Sequence, residues 1–158
     1  MKKAIYAGTF DPFTNGHQDI VERSLTIFDE VIILVASSNK KTLFTSEERV
    51  RMIEEVFKKQ SKVSVDHWGG LLVKYASDNG IGYLVRGLRP TGDFEYEFQM
   101  ASMNHELDKS LETVFFMSSS NKHYISSSLI KEVCRHNGDV SSFVPTHVSQ
   151  ELTKRFLS

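Results

Sequence analysis

The chain has 158 residues, which is the length of one domain at the usual scale of about 100–200 residues. It contains 19 lysines and arginines against 20 aspartates and glutamates, so its formal net charge is −1. This balance excludes a protein that binds nucleic acid or an anionic membrane through an overall positive charge. Cys134 is the sole cysteine, which excludes a disulfide framework and a cysteine-rich zinc site within one chain. No apolar run approaches the roughly 18 residues of a membrane span, so we expect a soluble, cytoplasmic protein.

The first half of the chain alternates short apolar runs with the spacing of helices. An apolar run at 4–7, closed by Gly8, predicts a strand, and the β-branched run at 31–36 predicts a strand buried on both faces. Thr45 and Glu48 have the spacing of a capping box and predict the start of a helix. Apolar spacing also predicts a short strand over 63–65 and helices over 20–28, 52–57 and 71–76.

The second half continues this alternation, with strands predicted over 81–85 and 114–117 and helices over 94–103, 129–134 and, after Pro145, 148–156. Met100, Met103 and Cys134 fall on helical stripes, so we expect these side chains to pack inside the protein. Five strands separated by helices predict an α/β domain over residues 1–158. We expect a doubly wound Rossmann-like fold, with a five-stranded parallel sheet and helices on both faces. Ligands of such sheets bind at the carboxyl ends of the strands, near the point where strand order reverses.

The segment after the first predicted strand, residues 8–17, has features of a phosphate site. It has neither the GxGxxG pattern nor the GK[ST] ending of the common nucleotide-binding loops. Gly8 permits close approach of the backbone, Thr9 offers a hydroxyl, and His17 lies at a helix start, where free N–H groups favour anions. An ordinary strand–helix turn, with Asn15 as the cap and His17 on the surface, explains the segment equally well.

Basic side chains and serines follow other predicted strands. Lys40 and Lys41 follow the second strand, in a loop where lysines are ordinarily just solvated. Arg86 directly follows the fourth strand, where its guanidinium matches the geometry of a phosphate; the alternative is a structural ion pair with a helix carboxylate. Serines between 118 and 128 precede a helix, and capping is their ordinary role. Their hydroxyls and the free backbone N–H groups also suit a triphosphate.

Two further sets of residues predict no chemistry. Glu95 and Glu97 occupy alternate positions of a predicted helix, so their side chains point in different directions and do not form an acid–base pair. We predict no metal site formed by side chains, because metal-ligand spacing is lacking among His67, His105, His136 and His147.

Several motifs together resemble a known enzyme family. Thr14-Asn15-Gly16-His17 resembles the (H/T)xGH motif of the nucleotidylyltransferase superfamily. Further segments resemble one branch of that superfamily, the bacterial phosphopantetheine adenylyltransferases: Arg86-Gly87-Leu88-Arg89, Asp93-Phe94-Glu95-Tyr96-Glu97, Met103-Asn104 and Ile125-Ser126-Ser127-Ser128. The resemblance extends over essentially the whole chain. This family transfers AMP from ATP to 4′-phosphopantetheine and produces dephospho-CoA and pyrophosphate, the penultimate step of coenzyme A synthesis.

The resemblance implies roles for individual residues. The catalytic candidates are His17, Lys40 and Arg89, and Lys40 is favoured over Lys41. The residues expected to contact ATP are Thr9, Phe10, His17, Gly87, Leu88, Arg89, Glu97, Lys122, His123, Tyr124, Ile125, Ser126, Ser127 and Ser128. The residues expected to contact 4′-phosphopantetheine are Thr9, Lys40, Leu72, Arg86 and Asn104.

The resemblance also implies a setting for the reaction. Members of the family are typically cytoplasmic, Mg²⁺-dependent hexamers, often with CoA as a feedback ligand. Two alternatives remain beside this interpretation. One is a related nucleotidylyltransferase that acts on nicotinamide mononucleotide or glycerol 3-phosphate. The other is a non-catalytic module that binds a nucleotide without releasing pyrophosphate.

Overall fold

The computed structural model describes residues 1–37, 41–89, 94–119 and 124–157. Within these ranges strands and helices alternate as far as the fifth helix. The elements in chain order are β1 (Lys3–Gly8), α1 (Asn15–Ser24), β2 (Glu30–Ala36), α2 (Ser46–Phe57), β3 (Val63–Trp68), α3 (Leu72–Asp78), β4 (Tyr83–Leu88), α4 (Phe94–Leu107), β5 (Glu112–Met117), α5 (Ser127–Arg135) and α6 (Thr146–Leu157).

The five strands form one parallel sheet in the order β3-β2-β1-β4-β5. The chain first builds outward from β1 to β3, and then returns to the other side of β1 to add β4 and β5. In the register of the central strands, Ile5 of β1 lies opposite Ile32 of β2 and Leu84 of β4. The strand order therefore reverses between β1 and β4, which confirms the predicted doubly wound fold and locates its switch point.

Successive side chains of each strand enter two separate cores, because they point to opposite faces of the sheet. Tyr6 joins the core that also contains side chains of α1, α2, α5 and α6, whereas Ile5 joins the core that contains side chains of α3. The predicted helices on both faces are thus confirmed. Cys134 is buried in the first core, as predicted, and burial raises the pKa of its thiol.

The structure corrects several details of the sequence prediction. The third strand extends to Trp68, and the fourth begins at Tyr83 and includes Arg86. The packing predicted for Met100 and Met103 is wrong, since their side chains are 41% and 58% exposed. Helix α4 is apolar on several sides, so periodicity did not identify its buried face. Among the residues described, no helix combines the length and apolar character needed to cross a bilayer.

Candidate active site

Two adjoining cavities lie at the switch point, at the carboxyl ends of β1 and β4. The first, named here the His17 cavity, has a volume of about 330 Å³ and is lined from β1, β4, α1 and the start of α5. The second, the Trp68 cavity, has a volume of about 320 Å³ and is lined from β2, β3, α3 and α4 as well as β1 and β4. They share a wall formed by Ala7, Gly8, Thr9, Arg86 and Glu97.

His17 is held in the first turn of α1 by a capping box. Thr14 is the N-cap, its side chain accepts from the backbone N–H of His17, and its own N–H donates to His17 Nδ1 at 3.0 Å. The interpretation of Asn15 as the cap is wrong, since Asn15 is the first helical residue and its side chain donates to the carbonyl of Ser142. Because Nδ1 accepts a hydrogen bond, the neutral imidazole carries its proton on Nε2.

The charge state of His17 follows from its surroundings. Burial of the ring, with the cations Arg89 and Arg86 nearby, lowers the pKa of His17 to about 4. The ring is therefore neutral at pH 7, and it lines the cavity as a hydrogen-bond donor rather than as a cation. This is different from an ordinary surface histidine.

Phe10 explains why the residue after the apolar part of β1 is glycine. A Cβ on Gly8 would lie 2.9 Å from the Phe10 ring. Any larger residue at position 8 would therefore have to displace this ring. Phe10 adopts a positive φ of 51° and is only 4% exposed, with its ring centroid 5.1 Å from that of His17. The close approach expected at Gly8 is thus made by this ring, which supports His17 and lines the same cavity.

Arg86 and Glu97 form the charged part of the shared wall. Arg86 Nε donates to Glu97 Oε2 at 2.7 Å, Nη2 donates to Oε1 at 2.5 Å, and Nη1 donates to the carbonyl of Ala7 at 2.6 Å. Burial lowers the pKa of Arg86, but the hydrogen bonds and charge of Glu97 outweigh it and raise that pKa above its ordinary value. The ion pair with a helix carboxylate is therefore present, and it lies in the cavity wall rather than away from it.

The residues after Arg86 have different positions. Arg89 is exposed and lines the His17 cavity together with Gly87, where a Cβ would lie 3.3 Å from Ile20 Cγ1. Leu88 is buried and is not among the cavity residues, and the exposed Tyr124 also lies outside both cavity linings.

The three serines at the start of α5 all line the His17 cavity and differ in their hydrogen bonds. Ser126 is the N-cap and accepts from the backbone N–H of Leu129 at 3.2 Å. Ser127 Oγ donates to the carbonyl of Pro12 at 2.7 Å, which ties α5 to the β1–α1 loop. Ser128 is exposed at the cavity, and Ile125 contributes to the same lining. Capping therefore accounts for one serine of the three, and all three lie beside the positive end of α5.

The Trp68 cavity is built around a residue that the sequence reasoning missed. Trp68 Nε1 donates to the carbonyl of Leu71 at 3.1 Å, and the ring lies against Gly70, where a Cβ would be 2.9 Å from Nε1. Leu72 and Asn104, both predicted substrate contacts, line this cavity with it. A signal was present, since Trp68 is the sole tryptophan and precedes Gly69-Gly70, but the third strand was predicted too short to place it at a strand end.

Two buried charges near the site were also missed. Arg49 of α2 is 2% exposed and donates to the carbonyls of Thr9 and Ala36, at the ends of β1 and β2. Asp11 is 3% exposed and accepts from the backbone of the β2–α2 loop. An arginine on an amphipathic helix gives no sequence signal for burial, whereas Asp11 lies inside the motif segment.

Some predicted site residues lie outside the described residues. These are Lys40, Lys122 and His123, together with Asp93 of the motif that begins α4. Lys41 is described, and its side chain is exposed.

The sequence of the chain is similar to several known proteins. A sequence model described as cytidylyltransferase-like matches residues 5–133. A protein of Alkaliphilus metalliredigens named phosphopantetheine adenylyltransferase is 49% identical, over 98% of this chain and 99% of its own. Proteins with the same name from Solidesulfovibrio magneticus and Geotalea daltonii are 47% and 46% identical, over 97% and 99% of this chain and 90% and 98% of theirs.

The fold is also similar to that of a solved structure. A crystal structure titled as a putative nicotinate-nucleotide adenylyltransferase from Vibrio parahaemolyticus superposes with a TM-score of 0.71, covering 98% of this chain and 93% of that chain. The two sequences are 22% identical, so this likeness concerns the fold.

Proposed function

The chain belongs to the phosphopantetheine adenylyltransferases of the cytidylyltransferase-like family, and we propose that its two cavities hold the two substrates of that reaction. ATP occupies the His17 cavity and 4′-phosphopantetheine occupies the Trp68 cavity. The enzyme is a nucleotidyltransferase that transfers the adenylyl group of ATP to the phosphate of 4′-phosphopantetheine, giving dephospho-CoA and pyrophosphate, as in coenzyme A biosynthesis.

One observation carries this assignment of substrates to cavities. The two cavities are similar in size and meet at Thr9 and Arg86, at the switch point where ligands of doubly wound sheets bind. The His17 cavity offers polar donors suited to phosphates, whereas side chains such as Trp68 and Leu72 suit the uncharged arm of a pantetheine. A reaction between two phosphates at the shared wall follows from this arrangement.

The reaction needs charge stabilisation and positioning rather than a general base. The nucleophile is a phosphate monoester, whose second pKa is about 6, so it is largely dianionic at neutral pH. In the proposed mechanism it attacks the α-phosphorus in line, and pyrophosphate leaves with the electrons of the broken P–O bond. Neutral His17 donates from Nε2 to an α-phosphoryl oxygen, while Arg86 and Arg89 place positive charge beside the reacting phosphates.

Mg²⁺ enters this proposal as a part of the nucleotide substrate. Mg²⁺ sites in proteins usually combine one or two carboxylates with substrate phosphates and water. Among the described residues that line the His17 cavity, the sole carboxylate is Glu97, and both of its oxygens accept from Arg86. The described side chains therefore do not fit a resident Mg²⁺ site, and we propose that the ion is carried by the triphosphate.

The proposal extends to the unit of function and its regulation. Residues 1–158 act as one domain, since α6 packs against α2 and α5 beyond the family match.

CoA acts as a feedback ligand, because it combines a pantetheine arm with an adenine nucleotide and would compete for both cavities. The enzyme acts in the cytoplasm, where ATP is available. A hexamer is supported by the exposed apolar side chains of α4, which are Phe94, Tyr96, Phe98, Met100, Met103 and Leu107.

The test is adenylylation of 4′-phosphopantetheine by the purified protein with MgATP, with dephospho-CoA identified by mass spectrometry and pyrophosphate measured in parallel. We expect one dephospho-CoA for each pyrophosphate released. Nicotinamide mononucleotide and glycerol 3-phosphate serve as matched acceptors and should release pyrophosphate at less than about 1% of that rate, because neither has an arm that fills an apolar cavity.

Two results would contradict the proposal. Preference for either of the other acceptors would indicate a related nucleotidylyltransferase. Binding of ATP without pyrophosphate release from any acceptor would indicate a nucleotide-binding module. Binding is measured by calorimetry in the same buffer, so that an inactive preparation is distinguished from an unfolded one.

A further inference from the structure

Asp11 is a buried carboxylate that lines neither cavity. Its Oδ2 accepts from the backbone N–H of Leu43 at 2.9 Å, and its Oδ1 accepts from the N–H of Phe44 at 3.0 Å. Leu43 and Phe44 belong to the β2–α2 loop, more than 30 residues further along the chain. Since Asp11 itself lies in the β1–α1 loop, its side chain joins the loops that follow two neighbouring strands.

The same carboxylate reaches a third element. Lys131 of α5 donates from Nζ to Asp11 Oδ2 at 2.8 Å, with the lysine side chain 21% exposed and that of Asp11 4% exposed. Next to this ion pair, Ser127 of α5 donates to the carbonyl of Pro12. Asp11 therefore connects the β1–α1 loop both to the β2–α2 loop and to the helix whose first turn lines the His17 cavity.

Arg49 holds the opposite end of the β2–α2 loop. Its Nη1 donates to the carbonyl of Ala36, where that loop begins, and to the carbonyl of Thr9, at 3.1 and 2.5 Å. The loop that starts after Ala36 is thus fixed to the β1–α1 loop at one end by Arg49 and at the other end by Asp11. Of these two side chains, Asp11 also forms an ion pair with α5, through Lys131.

We propose that Asp11 is a positioning residue for adenylyl transfer: it holds the β2–α2 loop and α5 in register with the β1–α1 loop, which carries Thr9 and leads into the helix turn of His17. The inference rests on the proposed function, in which Thr9 lies between the substrates and the serines of α5 lie beside the nucleotide. Asp11 touches neither substrate. It acts through the β1–α1 loop and α5, which line the His17 cavity. Its carboxylate oxygens accept from the two backbone N–H groups of the β2–α2 loop and from Lys131.

Asp11→Asn tests this geometry with little change in volume. The amide has one oxygen. If this oxygen takes the Oδ1 position, the NH2 group faces the Leu43 N–H and Lys131; if it takes the Oδ2 position, the NH2 group faces the Phe44 N–H. Displacement of reacting groups by about 1 Å is expected to lower kcat by roughly 10–100-fold. ATP affinity should change by less than about threefold, since the residues that line the His17 cavity are retained.

A second variant separates positioning from stability. Asp11→Asn leaves the Lys131 cation without its partner, so the melting temperature should fall. Adding Lys131→Met removes that cation, and the double variant should recover part of the melting temperature while kcat remains low. Glu30→Gln is the matched control, because it removes an ion pair with Lys3, 2.8 Å in length, at the opposite end of the sheet. It should leave kcat within twofold of the wild type.

Hydrogen exchange provides a readout that does not depend on catalysis. The amides of Leu43 and Phe44 should exchange at least about 10-fold faster in Asp11→Asn and in the double variant. Their exchange rates should be unchanged in Glu30→Gln. Recovery of kcat together with stability in the double variant, or faster exchange with an unchanged kcat, overturns the proposal. A wild type that makes no dephospho-CoA refutes the proposed function instead, and loss of amide protection in Asp11→Asn then still establishes the contact between the loops.

Discussion

The His17 cavity and the Trp68 cavity differ in chemistry although they share a wall and nearly the same volume. The first is bounded by hydroxyls, an imidazole and guanidinium groups, and lies on the face of the sheet covered by α1 and α5. The second is bounded mainly by aliphatic and aromatic side chains, among them Trp68 and Leu72, and lies on the face covered by α3 and α4. Because side chains alternate along β1 and β4, the two cavities lie on opposite faces of the sheet, at the ends of the same strands.

Under the proposed assignment of substrates, this difference explains how a protein with a net charge of −1 can select two phosphorylated ligands. Positive and polar groups are concentrated where we propose that the phosphates react, and Arg86 lines both cavities. Selection of the acceptor then depends on apolar contact with its uncharged part. If this division holds, substitutions on each side should affect different kinetic constants.

The largest effect is expected for His17→Ala. Loss of one preorganised donor to a developing charge usually lowers kcat by about 10²–10³-fold, and ATP should still bind measurably. Glu48→Ala is a matched control, because Glu48 occupies the same position in the capping box of α2 that His17 occupies in that of α1. Both variants lose the N3 hydrogen bond of a capping box, and Glu48→Ala also loses an ion pair with Arg155, so only a loss of kcat specific to His17→Ala reports catalysis. Near-normal kcat in that variant would refute the role of His17.

A pH-dependent loss of stability is expected from the same side chain. The pKa of His17 is about 4 in the folded protein and 6.5 in its ordinary state, so the unfolded chain binds more protons between these values. The stability that neutral His17 contributes is present above pH 6.5 and is lost as pH falls towards 4, by roughly 100-fold in the unfolding constant. Urea titrations between pH 7 and 4 should show this slope in the wild type and a smaller one in His17→Ala. Equal slopes would contradict the low pKa.

The next effect concerns the shared wall. In Glu97→Gln one guanidinium N–H of Arg86 would face the amide NH2 group, so the side chain should turn away from its position between the cavities. We expect kcat/KM for both substrates to fall by roughly 10–100-fold. Glu95→Gln, two residues earlier on the exposed side of α4, should change neither value by more than twofold. An effect on one substrate alone would show that the wall is not shared in function.

The two cavities differ in how many of their residues could be predicted from the sequence. Local patterns predicted the strands and helices. The order of the motifs predicted that Thr9, His17, Arg86 and Ser128 would lie at one site, at the carboxyl ends of the strands. The partner of Arg86 was left open, because the choice between a phosphate and a carboxylate depends on how α4 packs. Trp68 and Arg49 could not be assigned, since their burial depends on contacts between segments distant in sequence.

A smaller effect is expected for Leu72→Ala in the Trp68 cavity. Removal of this partly buried side chain lowers apolar contact with the acceptor, so KM for 4′-phosphopantetheine should rise by roughly 5–10-fold. ATP affinity should remain unchanged. The control Ile27→Ala truncates an exposed side chain that lines neither cavity. An equal rise in the dissociation constant of ATP would contradict the division between the cavities.

The smallest effects should separate the serines of α5. Ser126→Ala removes the cap on the Leu129 N–H and should cost about 1 kcal/mol of stability, measured by urea unfolding. Ser128→Ala removes a cavity hydroxyl and should weaken ATP binding by roughly threefold with little change in stability, measured by calorimetry. Each variant lacks one serine hydroxyl relative to the wild type, so each is the control for the other. In the proposed assignment the Ser126 hydroxyl serves folding and the Ser128 hydroxyl serves the ligand. Weaker ATP binding in Ser126→Ala, with unchanged binding in Ser128→Ala, would reverse it.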